Sequence, residues 1–441
     1  MSVPPSVLDH VWGSRALVED VERLAGCGGR LAGSESEAAA WAFLLERLNG
    51  IAGVQVREHR FEYAGWARRT ATLEVRGSAG ARLDCHPLIG CPDTPAGGLE
   101  GEVVDVGRGT PEEFEAAGLE LRGRLALVRH EYPFAAGAIH RRAKYNRSRE
   151  LGAAGFVIAG TLPGHVLVTG SAGYGTPDDI PAVGVSLEAG AALAAARAGA
   201  RLHVQAHRRR AVGVNLVAEV PGRMAEWVVV CAHYDGHDLA QSALDNATGV
   251  AAALQILAAI APHAEQLPRG IRVVLFTVEE WGLMGSREYV AGLSEAEAQS
   301  ISLVVNLDTL TGSPNLTCLT SGFSELHAFI DAIGDRLGIR LRTVLPLMRN
   351  SDHFSFVERG IPALRVVAGF DEPQAGARYL LTAADTLDKV APGELKAATL
   401  LATELVWSAL ASSKGPGRHR AADETRRLLE AHGFAAPLTP R

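Results

Sequence analysis

The sequence predicts an α/β protein: a mostly parallel mixed sheet flanked by helices, interrupted by a β-rich insert. Three observations carry that prediction. From Ala211 onward, short apolar strands alternate with stretches of helical periodicity, the signature of strand–helix–strand units. Between residues 71 and 209 the texture changes to short β-like runs broken by Gly and Pro clusters. The chain has 441 residues, 47% of them hydrophobic and 21% charged, enough for two or three domains with a sizeable core.

The elements follow in order. Residues 1–70 form the first part of the main domain. Within it, Ser34-Glu35-Ser36-Glu37 precedes an Ala- and Leu-rich run through Leu48, and the Ser34/Glu37 spacing predicts a helix opened by a capping box. Residues 54–63 alternate apolar and polar, as a strand does. Residues 71–209 form the insert, with strands expected at 102–106, 124–128, 155–159 and 180–185, and a helix at 141–151. A basic run over 201–210 closes it. Residues 210–412 form the second part of the main domain, with strands at 227–232, 271–278 and 303–307. Helices are expected at 249–260, 282–291 and 325–337. Residues 413–441 are a polar tail with an amphipathic stretch at 423–431, either mobile or docked.

Composition excludes several functions. With 43 basic against 50 acidic residues, the net charge is −7, and no basic stripe marks a nucleic-acid binder. The apolar run 250–262 is too short for a bilayer, which needs about 20 residues, so no membrane partner is expected. Residues 1–20 lack the layout of a secretory signal. The five cysteines include no CxxC pair. Cys85 and Cys91 could bridge in an oxidising compartment, but the plain reading is reduced thiols in a cytoplasmic protein.

Five segments concentrate chemistry at predicted strand ends. They are Val230-Cys231-Ala232-His233-Tyr234-Asp235, Ser242-Ala243-Leu244-Asp245-Asn246-Ala247-Thr248-Gly249, Phe276-Thr277-Val278-Glu279-Glu280, Val305-Asn306-Leu307-Asp308 and Asn350-Ser351-Asp352-His353-Phe354. Each alone has an ordinary reading as a surface pair, a helix cap or a solvated turn. Together they put carboxylates and an imidazole where ligands sit on parallel sheets, beyond the carboxyl ends of strands. That donor set suits zinc or a similar divalent ion, and one further carboxylate could serve as a general base. No G-x-S-x-G elbow and no P-loop appears. Gly26-Cys27-Gly28-Gly29 lacks the context of a dinucleotide site.

In their order, HxD, D(D/N)xxG, EE and NxD, these segments resemble the M28 family of zinc aminopeptidases. Residues 76 to about 209 are similar to the protease-associated (PA) domain that many members carry as an insert. The resemblance implies a zinc-aminopeptidase-like fold and hydrolysis of an amide bond in a peptide or small amide substrate. It implies that His233 and Asp308 bind one metal, that Asp245 bridges and that Glu280 binds the other. Glu279 would be the general base, acting on water activated by the metal, and Asp235 would orient His233.

The chain departs from the family at one position. The family's H-T-x-x-D-T motif reads here Leu381-Thr382-Ala383-Ala384-Asp385-Thr386, and an isobutyl group cannot ligate a metal. Three readings stay open: one tightly held zinc at His233, Asp245 and Asp308; a substitute ligand, with His353 and His237 the candidates; or a centre turned to other amide chemistry or to none. The last includes a non-catalytic binding protein and an amide-forming or cyclising enzyme akin to glutaminyl cyclases. His353, Asp352 and Arg349 are candidate substrate contacts, and Arg349 and Arg365 could meet a substrate carboxylate. Asp385 and Thr386 are expected to hold the loop that carries Leu381. A homodimer is left open.

Overall fold

The computed structural model describes residues 2–434 except 77–80, 136, 174, 175, 177 and 196–198. It contains a ten-stranded sheet and a separate five-stranded sheet. The heart of the large sheet is four parallel strands side by side: Gly270–Phe276, Trp227–His233, Ile301–Leu307 and Ala363–Ala368. Their residues are buried almost throughout. That is why they read as unbroken apolar runs: helices cover both faces, so neither face needs polar side chains.

Thr248–Ile260 is the central covering helix, buried on nearly every side, and it packs against Ala16–Gly26 and Pro392–Ala411. The helical stretch Ala243–Gln266 is apolar enough over its length to cross a membrane, but it lies inside the fold. The sequence-predicted strands and helices of residues 227–337 all form, with ends moved by a few residues. One such shift matters. The Glu279-Glu280 pair precedes its helix in a turn, because that helix runs Met284–Gly292.

On the other side of the large sheet, Gln55–Val75 and Ala200–Val220 pair antiparallel along most of their length. One end of this ribbon lies beside Gly270–Phe276, and the other end leads into the insert. The expected boundaries at 70/71 and 209/210 therefore fall inside continuous strands. The basic run is where the ribbon crosses solvent: Arg208, Arg209 and Arg210 are exposed, so the sequence changes character there although the strand does not.

The insert has its own core and its own sheet, in the order Cys85–Pro87, Ala182–Val185, Gly155–Ala159, Leu125–Arg129, Val103–Asp105. The last four strands are parallel. Helices Pro111–Ala117, Arg141–Glu150 and Leu187–Ala195 accompany them. The amphipathic stretch near the C-terminus is docked: helix Ala422–Ala431 buries Leu429, and Phe434 meets Phe354 edge-on. Residues 435–441 of the expected tail lie outside the described residues.

Two charged residues near the start of the chain tie distant parts together. The Arg30 side chain is fully buried and donates to the carbonyls of Tyr234, Leu24, Gly28, Gln241 and Ser242. It thereby fastens the first part of the domain to the loops on either side of Asp235. Glu37 departs from the predicted capping box. Ser34 does accept from the Glu37 amide at 3.2 Å. The Glu37 carboxylate, however, takes the Gly33 amide at 2.6 Å and the Thr277 hydroxyl. A tertiary partner on the strand leading to Glu279 outcompetes the local box.

Replacing Arg30 with Met should lower stability by several kcal/mol, on the order of 3–5, because it strands buried carbonyls that a charged donor satisfied. Urea denaturation checks this; an unchanged midpoint would contradict the assignment. Burial pushes the Glu37 carboxyl up to about 7, with Asp235 adding to it and the Thr277 and Gly33 hydrogen bonds opposing it. The folded state then keeps a proton that the unfolded chain sheds near its ordinary pKa of about 4.3. Stability linked to Glu37 is present below that value and is lost as pH rises toward 7. Relative to the wild type, Glu37→Gln should gain stability between pH 5 and 7, as read by denaturation midpoints at the two pH values.

Candidate metal centre

The site lies at the carboxyl ends of three neighbouring strands. His233 is the last residue of Trp227–His233. Asp308 follows Ile301–Leu307, and Glu279 and Glu280 follow Gly270–Phe276. Parallel register brings these ends level, so residues 28 to 75 positions apart in the chain become neighbours. Asp245 arrives on the turn Ala243–Ala247 that leads into the central helix.

One donor atom each from His233, Asp245 and Asp308 lie within 4.8 Å of one another, and among the described residues they form the group able to hold a metal ion. His233 Nε2 is 3.0 Å from Asp245 Oδ1 and 4.0 Å from Asp308 Oδ1. His233 Nδ1 lies 3.1 Å from the Asp235 carbonyl. Donation to that carbonyl leaves Nε2 free to face the two carboxylates, the tautomer a ligand needs. One imidazole and two carboxylates with a position left open is a donor set that fits zinc.

Each ligand is braced. The Asp308 carboxylate accepts from Ser351 Oγ at 2.5 Å and from Thr309 Oγ1 at 3.1 Å, and Arg365 Nη2 lies 3.1 Å away. Ser351 in turn accepts from Asn306 Nδ2 at 2.6 Å. The amides of Leu244 and Asp245 both donate to Asp385, at 2.7 and 3.2 Å. Asp385 is thus a brace for the Asp245 turn. Asp235 faces His233 Nδ1 with its carbonyl at 3.1 Å and its carboxylate at 3.6 Å, and that carboxylate also accepts the amides of Glu279 and Glu280 at 3.1 and 3.3 Å. Asp235 therefore sets the turn that presents both glutamates.

The electrostatics are those of a cation site. Burial alone would push His233 down, yet Glu279, Asp235 and Asp245 hold its imidazole well above its ordinary range. Burial opposes the charge on Asp245, but His233, Arg365 and Arg30 keep its carboxyl below the usual value. Burial pushes Glu279 well up, reinforced by Asp352, Glu280 and Asp308. Burial does the same to Glu280, with Asp245 and Asp235 adding and His233 and Arg141 opposing. A buried carboxyl with a raised pKa is suited to carry a proton near neutral pH.

The remaining candidates fall around this group. Glu280 does not join it, and its Oε1 is buried without a hydrogen-bond partner. His353 and His237 are fully buried, neither joins the group, and the ring nitrogens of both lack partners. Burial pushes each imidazole down to about 3. Asp352 is buried near His233, raised by that burial to about 7. Arg349 sits over the Phe354 ring at 5.5 Å. Arg365 is 3% exposed and spans Asp308 and the Asn350 carbonyl. Leu381 sits in the left-handed region, with φ 60. Its carbonyl accepts from Thr169 of the insert at 2.8 Å.

Sequence reasoning missed Arg30, whose buried side chain donates to carbonyls on both sides of Asp235. No motif surrounds it, and the one available signal was a lone arginine at the edge of an apolar segment.

Residues 215–406 match the profile of peptidase family M28, and residues 91–193 match the PA domain. Aminopeptidase YwaD of Bacillus subtilis is 24% identical over 408 residues, 88% of this chain and 83% of that protein. Carboxypeptidase Q of Xenopus laevis is 24% identical over 380 residues, 82% of this chain and 80% of that protein. Among solved structures, a peptidase M28 precursor from Shewanella amazonensis superimposes with a TM-score of 0.78 at 25% identity, covering 94% of this chain and 97% of that one. BSAP, a zinc aminopeptidase from Bacillus subtilis, gives a TM-score of 0.73 at 23% identity, covering 91% and 96%.

If Asp385 braces the Asp245 turn, Asp385→Ala should strand two amides and cost about 1–3 kcal/mol. It should also weaken divalent-metal affinity by roughly 10–100-fold, the usual effect of losing a group that orients a ligand. Competition with a chromogenic chelator measures the second effect; unchanged affinity would leave Asp385 a merely structural residue.

Proposed function

The chain belongs to peptidase family M28 and carries a PA domain, and from that premise we propose that it is a one-zinc hydrolase of amide bonds, aminopeptidase-like in mechanism. The convergence of His233, Asp245 and Asp308 beside the buried carboxyl group of Glu279 carries this reading. His233, Asp245 and Asp308 are the residues that would hold the ion. A zinc ion there supplies Lewis-acid polarisation of the scissile carbonyl and acidifies water.

The chain's own residues do the rest. Glu279 takes a proton from the attacking water and delivers it to the leaving amine. Asp235, through the Glu279 amide, fixes where that carboxyl points. Arg365 and Ser351 hold the Asp308 carboxylate in place. Leu381 removes an imidazole from the Glu280 side, so Glu280 is free either to hold a weaker second ion or to meet a substrate ammonium. Two other readings compete: a non-catalytic binding protein on the same fold, and an amide-forming or cyclising enzyme.

Glu279→Gln should cut kcat against an aminoacyl anilide by about 10²–10⁴-fold, the usual worth of a general acid–base. Zinc content should stay at the wild-type level. Activity that survives the change belongs to some other machinery. Dialysis against a strong chelator should abolish turnover and added zinc should restore it; turnover indifferent to chelation would remove the metal from the mechanism. An enzyme that cyclises N-terminal glutaminyl peptides yet leaves anilides intact would favour the cyclising alternative.

A further inference from the structure

How Asp308 meets an ion depends on which of its oxygens is free to do so. Oδ2 accepts from Ser351 Oγ at 2.5 Å and lies 3.1 Å from Arg365 Nη2. Oδ1 faces His233 Nε2 at 4.0 Å and accepts from Thr309 Oγ1 at 3.1 Å, which leaves it a lone pair for a ligand bond. Turning the carboxylate over would break the contacts of Oδ2 with both Ser351 and Arg365. Arg365 is therefore half of the lock on a metal ligand, and whatever holds Arg365 belongs to the site as well.

An arginine side chain has many rotamers and stays in one only when its surroundings fix it. Arg365 Nη1 donates to the Asn350 carbonyl at 3.0 Å. Its Nε is buried without a hydrogen-bond partner among the described residues. The further support is on the face of the guanidinium, and it comes from the insert: the guanidinium carbon lies 5.2 Å from the centre of the Phe134 ring. Phe134 falls within the PA-domain match, in the turn that follows strand Leu125–Arg129. It is 4% exposed, and Arg365 is as deeply buried. Removed from water, a cation–π contact is at its strongest.

The ring is itself held against the strand that carries Arg365. Tyr132 meets it edge-on with centroids 6.0 Å apart, and Phe370 packs on it at 5.6 Å. The Tyr132 hydroxyl donates to the Gly369 carbonyl. Gly369 and Phe370 directly follow strand Ala363–Ala368. The insert thus grips one strand of the main sheet at Arg365, Gly369 and Phe370. Val367, two residues from Arg365 and so on the same face, shares a small core with Phe134. Leu244, the neighbour of Asp245, lies in that core too, so the ring has a second route to the site, through packing alone.

We propose that Phe134 is a positioning residue for the metal ligand Asp308. Its ring keeps the Arg365 guanidinium on Oδ2, and the zinc site is complete only when the insert is docked on the strand that carries Arg365. The inference rests on the zinc-hydrolase reading above and goes beyond it by giving the PA domain a part in metal affinity. Removing the ring changes no charge, so a change in zinc binding reports the orientation of the ligand.

The test is zinc affinity of the full chain, by competition with a chromogenic chelator, for wild type, Phe134→Leu, Arg365→Gln and the double variant. Turnover of an aminoacyl anilide at saturating zinc is measured on the same samples, and circular dichroism checks that each is folded. Phe134→Leu fills the apolar core but has no aromatic face. It should bind zinc about threefold to thirtyfold more weakly, the range set by a desolvated cation–π contact. Its KM at saturating zinc should stay at the wild-type value, because a ring so deeply buried offers a substrate little to touch. Whatever Arg365→Gln does by itself, adding Phe134→Leu to it should change zinc affinity no further, since the ring acts through the guanidinium. If Phe134→Leu fails to fold, Phe134→Met, which fills the space with a flexible chain, decides on the same terms. If Arg365→Gln fails to fold, the zinc affinity and KM of the single Phe134 variant decide. Unchanged zinc affinity in a folded Phe134→Leu protein overturns the proposal. An equal loss in the Arg365→Gln background also overturns it, because the ring then acts through Leu244 and packing. A raised KM with unchanged zinc affinity overturns it in favour of a substrate contact. A wild type that binds no zinc and cleaves nothing sinks the hydrolase reading and the inference together. A wild type that binds zinc and turns over, with Phe134→Leu holding zinc as tightly, sinks the inference alone.

Discussion

The constraint on which the rest of the molecule depends is the crowding of carboxylates in a space that water hardly reaches. Asp235, Glu279, Glu280, Asp308 and Asp352 are all buried, and Asp245 is nearly so. Unpaired, such a cluster would cost many kcal/mol, through desolvation and through mutual repulsion. The fold answers with positive charge from several directions. His233 stands in the middle, Arg365 lies on Asp308, and Arg30 binds the carbonyls of Tyr234, Gln241 and Ser242 beside the loops that carry Asp235 and Asp245. The open position beside His233, Asp245 and Asp308 is where a metal ion would complete the balance.

The geometry of the sheet makes this crowding possible. Parallel strands end level, and their last residues point into one crevice. Once the strands are fixed by burial of their apolar runs, the positions of His233, Glu279 and Asp308 are fixed too, because each lies within a few residues of a strand end. The ligands from loops need braces instead: Asp385 for Asp245 and Ser351 for Asp308. The strands contribute precision through packing, and the loops contribute it through hydrogen bonds.

The insert is coupled to the site rather than hung beside it. Tyr132 donates to the Gly369 carbonyl, and Phe134 joins a small core with Leu244 and Leu380. The Arg365 guanidinium lies over the Phe134 ring at 5.2 Å. Phe134 thus shares a core with the neighbour of one metal-side carboxylate and lies under the ion-pair partner of another. The Thr169–Leu381 hydrogen bond adds a second tie. The loop that carries Leu381 is thus held by the insert.

Much of this was legible in the chain alone. Strand and helix periodicity set the fold class and the level strand ends, since an apolar run of a given length has few ways to be buried. The motifs at those ends, from His233 through Asp308, named the donors, because zinc chemistry restricts which side chains can serve. What the sequence could not determine was anything set by partners far apart in the chain. Glu37 abandons its local cap for Thr277, 240 residues away, and Asp235 turns its carboxylate to the Glu279 and Glu280 amides while its carbonyl takes His233. Arg365 becomes a buried brace. Local spacing encodes which residue types are available, but the charge on each buried group depends on which cations the tertiary fold brings within a few ångströms, and no pattern along the chain records that distance.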